Sequence, residues 1–125
     1  MKKIISTPNA PAAIGPYSQA IEANEMIFLS GMLPIDPTTG EFVPGGAGEQ
    51  TTQIFKNIKA LMVAAGLTMD NIVKTTVFLD EMSDFSAMNE VYAKQFSGTF
   101  PARSTIAAKA LPKNALVEIE VIAVR

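Results

Sequence analysis

Hydrophobic and polar positions in the first third of the chain indicate a hairpin. Met26 to Leu33 is a compact apolar run of strand length, and Tyr17 to Ala23 is predicted to be its partner strand. Ser30 and Gly31 interrupt the apolar run. A missing side chain inside a strand lets a ligand or another backbone come close, so the pair is a candidate contact point.

The next apolar pattern has helical spacing. Between Glu49 and Ala65 the apolar residues Ile54, Ile58, Leu61, Met62 and Ala65 recur every three or four positions. Gly66 follows where a left-handed C-terminal cap belongs. The stretch before this helix, Pro34 to Gly48, is rich in glycine and proline and is predicted to be a loop.

The second half of the chain predicts three strands and one helix. Ile72 to Leu79 is rich in β-branched residues and is predicted to be a strand. Ser83 or Asp84 can cap a second helix. The buried stripe of that helix is expected to be Phe85, Met88, Tyr92 and Phe96. The last two strands are predicted at about Arg103 to Lys109 and Leu116 to Val124.

The order β-β-α-β-α-β-β predicts an α+β fold in which two helices cover one face of a mixed sheet. The chain has 125 residues, the size of a single domain, 1–125. It is 48% hydrophobic and only 18% charged, so non-polar surface is left over. The second face of the sheet therefore needs a partner, and an oligomer is the natural one.

Charge and composition narrow the function. The net charge is −2, and the lysines form no basic stripe, which argues against nucleic acid as a partner. No signal peptide and no apolar run of membrane-spanning length is present, so we expect a cytoplasmic protein. Cysteine and histidine are both absent, and the carboxylates show no metal-binding pattern. Chemistry therefore depends on carboxylates, hydroxyls, amines, two tyrosines and two arginines.

The candidate chemical groups each have a structural alternative. Arg103 lies where the chain passes from a proline-restricted turn into a strand. Its planar guanidinium can bind a carboxylate, but a surface ion pair is an equal alternative. Glu118 and Glu120 lie on one face of the last strand. This arrangement fits two interpretations: a base that positions a water molecule, or a strand edge that faces solvent. Tyr17 is a ligand contact or a structural tyrosine, and Asn89 is a surface residue or an interface contact.

Several segments, in order along the whole chain, resemble the RidA family, also called YjgF-like proteins. They are Ala10-Pro11-Ala12-Ala13-Ile14-Gly15-Pro16-Tyr17-Ser18-Gln19, Ser30-Gly31, Asn57-Ile58-Lys59-Ala60, Ala64-Ala65-Gly66-Leu67, Ile72 to Leu79, Asp84-Phe85 with Asn89, Phe100-Pro101-Ala102-Arg103-Ser104, Leu111-Pro112-Lys113, and Glu118-Ile119-Glu120 with Ile122-Ala123-Val124. This resemblance implies a chorismate-mutase-like fold assembled as a homotrimer, with clefts between subunits.

The resemblance also implies site residues and an activity. Arg103 matches the family's carboxylate-binding arginine and Glu118 its catalytic glutamate. The residues that match the lining of the cleft are Tyr17, Ser30, Gly31 and Asn89. The implied reaction is cofactor-independent hydrolysis of 2-imino and enamine acids, such as 2-aminoacrylate, 2-iminopropionate and 2-iminobutyrate, to 2-oxo acids and ammonia.

The sequence departs from the family pattern at two places, and two functions other than imine hydrolysis stay open. Thr105 stands where many relatives carry cysteine, so we expect a hydroxyl and no thiol among the substrate contacts, and the segment from Phe96 to Thr99 is slightly short. A non-catalytic protein that binds 2-oxo acids would use the same cleft. A ribonuclease is the weakest alternative, because an acidic chain without histidine lacks the usual acid and base.

Overall fold

The computed structural model describes residues 1–125 and contains two helices and eight strands. In chain order they are β1 (Lys3–Ile5), β2 (Ala20–Ala23), β3 (Met26–Met32), β4 (Ile35–Asp36), β5 (Glu41–Phe42), α1 (Ala47–Ala64), β6 (Ile72–Leu79), α2 (Phe85–Ala93), β7 (Ala102–Ala107) and β8 (Val117–Val124). This is the mixed α+β architecture that the hydrophobic pattern predicts.

Six of the strands form one sheet in the order β1-β2-β3-β8-β6-β7. All neighbours are antiparallel except β6 and β7, which are parallel. A register shift between Leu29 and Met32 in the pairing of β3 with β8 leaves Ser30 and Gly31 in a bulge. β7 is an edge strand, and its outer side has no partner in the chain.

One face of the sheet packs against both helices. The residues of β8 that face the helices are Val117, Ile119, Val121 and Ala123, each at most 1% exposed. On β6 the helix-facing residues include Thr75, whose hydroxyl lies 2.7 Å from the hydroxyl of Tyr92 on α2. Neither helix combines the length and apolar character that crossing a bilayer requires.

The opposite face of the sheet is covered by no element of the chain. The paired residues of this open face include Ile4 with Ile21 and Phe28 with Ile122. Ile4 is 66% exposed, Phe28 41% and Ile106 49%. A row of exposed large apolar side chains on a sheet face is typical of a surface that another protein chain covers.

The predicted elements and the observed ones differ at their edges. β1 was not predicted, and the first hairpin begins at Ala20, so Tyr17 lies before its strand. The predicted loop from Pro34 to Gly48 contains the short β4–β5 hairpin and the first two residues of α1. β7 ends at Ala107, short of Lys109. Short strands with few apolar residues carry too little periodicity to be recognised.

The structure confirms the predicted cap at the C-terminal end of α1 but shows no side-chain capping bond at the N-terminal end of α2. Gly66 has φ of +75°, as a left-handed cap requires, so this prediction is confirmed. Asp84 does occupy the N-cap position of α2, but its side chain makes no capping hydrogen bond. A short 3-10 turn, Met82–Asp84, leads directly into α2 and gives the backbone another way to begin the helix.

Candidate active site

Arg103 lies on β7 and is held between the sheet and α2. Its Nη1 donates a hydrogen bond to Oδ1 of Asn89 at 2.7 Å. Its Cζ lies 4.6 Å from the ring centroid of Tyr92 and 5.4 Å from that of Phe85. Two aromatic rings and one amide therefore orient the guanidinium by cation–π attraction and hydrogen bonding.

Arg103 has no acidic partner in the chain. The one salt bridge joins Arg125 to Glu22 at 2.7 Å, so the surface ion pair considered for Arg103 is not formed. The bond to Asn89 is also the only hydrogen bond that its guanidinium makes. A half-buried guanidinium with free N–H groups is suited to binding an anion such as a carboxylate.

Glu118 lies on β8 and faces the open side of the sheet, opposite Phe78 of β6. Desolvation by burial, with a smaller contribution from the negative charge of Glu120, raises the pKa of Glu118 above its usual 4.5. A carboxylate with a raised pKa is a better proton acceptor than an ordinary glutamate. Glu120 occupies the next position on the same face and is exposed.

Gly31 provides the space that the Glu118 carboxylate occupies. A Cβ built on Gly31 would overlap Oε2 of Glu118 and would lie 3.0 Å from its Cδ. The β3 bulge therefore lets the acidic side chain pack directly against the backbone of its neighbour. The interruption at Ser30 and Gly31 predicted close approach of a ligand or another backbone, and the group that lies there within the chain is a side chain, that of Glu118.

Arg103 and Glu118 lie on opposite faces of the sheet within one chain. Arg103 is in register with Thr75, which faces the helices, whereas Glu118 is in register with Phe78, three residues further along β6. Successive side chains of a strand alternate between faces, so a separation of three reverses the face. One protomer alone does not present both groups to one small molecule.

The other predicted contacts surround a separate cavity of about 210 Å³. Tyr17, Ser30 and Gly31 all line it, together with the apolar residues Pro11, Ala12, Ile14, Met32, Leu33, Ile35 and Pro37. The hydroxyl of Ser30 donates to the carbonyl of Ser18 at 2.6 Å. Neither Arg103 nor Glu118 lines this cavity, but Gly31 contacts Glu118 and so joins the two regions.

Thr105 lies two residues after Arg103, on the same side of β7. Its hydroxyl oxygen is buried and has no hydrogen-bond partner in the chain. A buried hydroxyl without a partner is costly, so a group from outside the chain is expected to complete it. The sequence predicted Thr105 as a substrate contact, and the unpartnered oxygen is compatible with that role.

Sequence reasoning missed several residues of the site. Phe85 and Tyr92 were assigned only to the helix core, although their rings also hold Arg103. Lys113 and Gln19 line the cavity, and in the sequence only their place in segments that resemble the family distinguishes them. Periodicity predicted both rings as buried, which holds for Tyr92, whereas Phe85 is only partly buried. Periodicity contained no signal for their contact with an arginine on a distant strand.

Comparison with known proteins assigns the chain to a family. Residues 7–125 match the family described as Endoribonuclease L-PSP, and the chain belongs to this family, which includes the proteins named RidA and YjgF. A mouse relative named 2-iminobutanoate/2-iminopropanoate deaminase is 48% identical over 125 residues, covering 100% of this chain and 93% of that protein. An Arabidopsis thaliana relative, Reactive Intermediate Deaminase A, chloroplastic, is 50% identical over 122 residues, 98% of this chain and 65% of that protein.

A solved structure agrees closely with the fold. It is a protein of the conserved Rid family from Yersinia pestis, described as of unknown function, with a TM-score of 0.97 and 53% identity. The two chains cover each other completely. The membership of the RidA family that the sequence segments predicted is therefore confirmed.

Proposed function

We propose that the protein is a cofactor-independent imine hydrolase that converts 2-imino acids and their enamine tautomers to 2-oxo acids and ammonia. The observation that carries the proposal is the half-buried, unpaired guanidinium of Arg103, held by Asn89 and two aromatic rings. The deaminase names of relatives at about half identity over nearly the whole chain support the same reaction. The substrates that fit are 2-iminopropionate and 2-iminobutyrate.

The site is proposed to form between protomers of a homotrimer. Arg103 of one subunit faces its helices and Glu118 of the partner subunit faces outward from the open sheet, so contact between subunits is needed to bring them to one substrate. The exposed apolar row on the open face and the unpaired outer side of β7 supply surface for such contact. The chain itself is then the only macromolecular partner required.

The mechanism uses two side chains. Arg103 binds the substrate carboxylate through its N–H groups and so fixes the neighbouring imine carbon. Glu118 accepts a proton from a water molecule as the water oxygen attacks the C=N carbon, and it returns that proton to the nitrogen, so that a neutral aminol forms. Glu118 then takes the hydroxyl proton of the aminol and delivers it to the nitrogen as the C–N bond breaks, which releases ammonia and leaves a 2-oxo acid. A positioned base of this kind contributes about 10² to 10⁴ in rate.

The remaining contacts shape the site. Asn89 orients Arg103, and the hydroxyl of Thr105, the backbone around Ser30 and Gly31, and the phenol of Tyr17 are the proposed contacts with substrate. Carboxylate binding and proton transfer are both supplied by side chains, so the proposed reaction requires no cofactor or metal. The proposed location is the cytoplasm, although the name of the Arabidopsis relative includes the word chloroplastic.

A coupled assay tests the reaction. An amino acid oxidase or serine dehydratase generates the imine in situ, and release of ammonia or loss of the imine is followed with and without the protein. Acceleration supports the hydrolase. Binding of 2-oxobutanoate without acceleration would instead identify a non-catalytic binding protein that uses the same cleft.

The family description also names a ribonuclease, and the same preparation tests that activity. An acidic chain without histidine offers neither the usual acid–base pair nor a phosphate-binding surface. We expect no cleavage of single-stranded RNA under conditions where the imine is hydrolysed. RNA cleavage that is abolished both by Arg103→Ala and by Glu118→Gln would contradict the expectation that the protein is not a ribonuclease.

Mixing two inactive variants tests whether the site is shared. Arg103→Ala retains Glu118, and Glu118→Gln retains Arg103, so a mixed trimer contains one intact site if the two groups come from different subunits. Co-refolding equal amounts is expected to restore roughly a quarter of the wild-type sites by random assembly. No restoration, in mixtures whose mixed assembly is verified by native mass spectrometry, would contradict a shared site.

Replacement of Gly31 by alanine is expected to displace the catalytic carboxylate. The new Cβ overlaps Oε2 of Glu118, which moves at little cost to the fold because it is the end of a flexible side chain. We expect kcat to fall by about 100-fold, since a misplacement near 1 Å has that effect. Gly98→Ala is the matched control, because a Cβ at Gly98 meets nothing within 4 Å. Wild-type kcat in Gly31→Ala would contradict the assignment.

The raised pKa of Glu118 predicts how activity depends on pH. The ionised form is the active base, so activity is present above its pKa and is lost as the pH falls through it, at a higher pH than an ordinary glutamate would give. Glu120→Gln removes one of the causes that raise this pKa. The acid limb of kcat/KM should then move to lower pH in Glu120→Gln, and a shift to higher pH would contradict the prediction.

A further inference from the structure

One wall of the cavity is a strap, residues 6–19, that contains neither helix nor strand. The strap contributes Pro11, Ala12, Ile14 and Tyr17 to the cavity lining. Within it the backbone makes a single hydrogen bond to itself, from the N–H of Tyr17 to the carbonyl of Gly15 at 2.8 Å. Backbone pairing therefore does not explain why the strap has a defined shape.

The side chain of Gln19 supplies the missing bonds. Its Nε2 donates to the carbonyl oxygens of Thr7 at 3.1 Å, Ala10 at 3.3 Å and Pro11 at 2.7 Å. Its Oε1 accepts from the N–H of Thr7 at 2.8 Å. Gln19 is only 8% exposed, so water does not readily replace these partners. The side-chain amide of Gln19 therefore uses both its N–H hydrogens and its oxygen in hydrogen bonds to the strap.

Gln19 also joins the strap to the bulge that contacts the catalytic carboxylate. Its backbone carbonyl accepts the N–H of Ser30 at 3.0 Å, and the neighbouring carbonyl of Ser18 accepts the hydroxyl of Ser30 at 2.6 Å. Gly31, next in the chain, packs against Glu118. One buried residue thus connects the strap that forms one wall of the cavity to the edge of the candidate site.

We infer that Gln19 is a positioning residue for the reaction: it holds the strap, and through the strap it holds Tyr17, in the arrangement that binds substrate. The kinetic part of this inference rests on the proposed imine hydrolysis. Gln19 touches neither Arg103 nor Glu118, so its loss should reduce the fraction of protein competent to bind while leaving the chemical step intact. Apparent affinity falls in proportion to that fraction.

The first test compares Gln19→Met with Gln50→Met. Both glutamines are buried, at 8% and 6% exposed, and both bond to the backbone of a distant segment, since Oε1 of Gln50 accepts the N–H of Leu116 at 2.9 Å. We expect Gln19→Met to raise KM for 2-iminobutyrate about tenfold, equivalent to 1.4 kcal/mol, with little change in kcat. Gln50→Met should leave KM unchanged.

Hydrogen exchange provides a readout that needs no substrate. Peptides covering residues 6–19 should exchange faster in Gln19→Met than in the wild type, while peptides from β3 and β8 stay protected. Exchange that rises uniformly over the chain would mean that Gln19 only stabilises the fold, and would overturn the inference. If exchange changes as expected but the wild type hydrolyses no imine, the strap assignment stands and the proposed function fails.

Gln19→Glu separates hydrogen-bond donation from shape. The ionised carboxylate has the same size but donates nothing and faces three carbonyl oxygens, so KM should rise at neutral pH as in Gln19→Met. Protonation returns one donor, and KM of Gln19→Glu should fall toward the wild-type value as the pH is lowered, while KM of Gln19→Met should not. A parallel pH dependence in the two variants, or unchanged KM in both, would refute the positioning role.

Discussion

Arg103→Ala is expected to reduce kcat/KM for imine hydrolysis by about 10³-fold or more. The charge-assisted bonds to the substrate carboxylate are worth about 1.5 to 3 kcal/mol, and the placement of the imine carbon is lost with them. The guanidinium makes one hydrogen bond and no ion pair within the chain, so little of the loss should come from the fold. Steady-state kinetics with imine generated in situ measures the change.

Two further arginine variants make this result specific. Arg103→Lys keeps the charge but not the planar fork or the stacking on Tyr92 and Phe85, and should recover only part of the activity. Arg125→Ala removes the other arginine, which pairs with Glu22, and should leave turnover unchanged. Activity close to wild type in Arg103→Ala would refute the assignment of the carboxylate-binding group.

Glu118→Gln is expected to lower turnover strongly while ligand binding is retained. The amide can still hold a water molecule but cannot take its proton, so kcat should fall by about 10² to 10⁴. Binding of 2-oxobutanoate, followed by calorimetry, should change much less, because the proposed carboxylate contact belongs to Arg103. The side chain keeps its size, so its packing against Gly31 is preserved.

Glu120→Gln is the matched control for this variant. Glu120 is exposed and lies on the same face of β8, and its loss should affect the pH profile but not the limiting rate. Equal losses of binding and turnover in Glu118→Gln would mark Glu118 as structural. Unchanged turnover would require a different base, and the pH dependence attributed to the raised pKa of Glu118 would then have no cause.

Local sequence signals were reliable where the pattern was long and apolar. The boundaries of β6 were predicted without error, and those of α1 and β8 to within two residues, because each has a continuous or strictly periodic apolar face. β1 and the β4–β5 hairpin were missed. Strands of two or three residues do not complete enough periods to be distinguished from loops.

Some residues of the site are likewise recognisable from their sequence neighbours, whereas others are revealed only by contacts between distant segments. The sequence identified Arg103 as an unusual guanidinium, Ser30 and Gly31 as a place of close approach, and two carboxylates on one face of the last strand. It left open whether Arg103 forms a surface ion pair, and the structure shows no acidic partner for Arg103 within the chain. It did not indicate that Tyr92 and Phe85 hold the guanidinium or that Gln19 organises the strap.

The sequence by itself determined which residue types are available, which segments form strands and helices, and the family, because these depend on neighbouring residues and on ordered motifs. Only the tertiary structure decided that Arg103 and Glu118 point to opposite faces of one sheet. The reason is that the face of a strand residue follows from register with its neighbours, and that register is fixed by pairing between segments far apart in the chain.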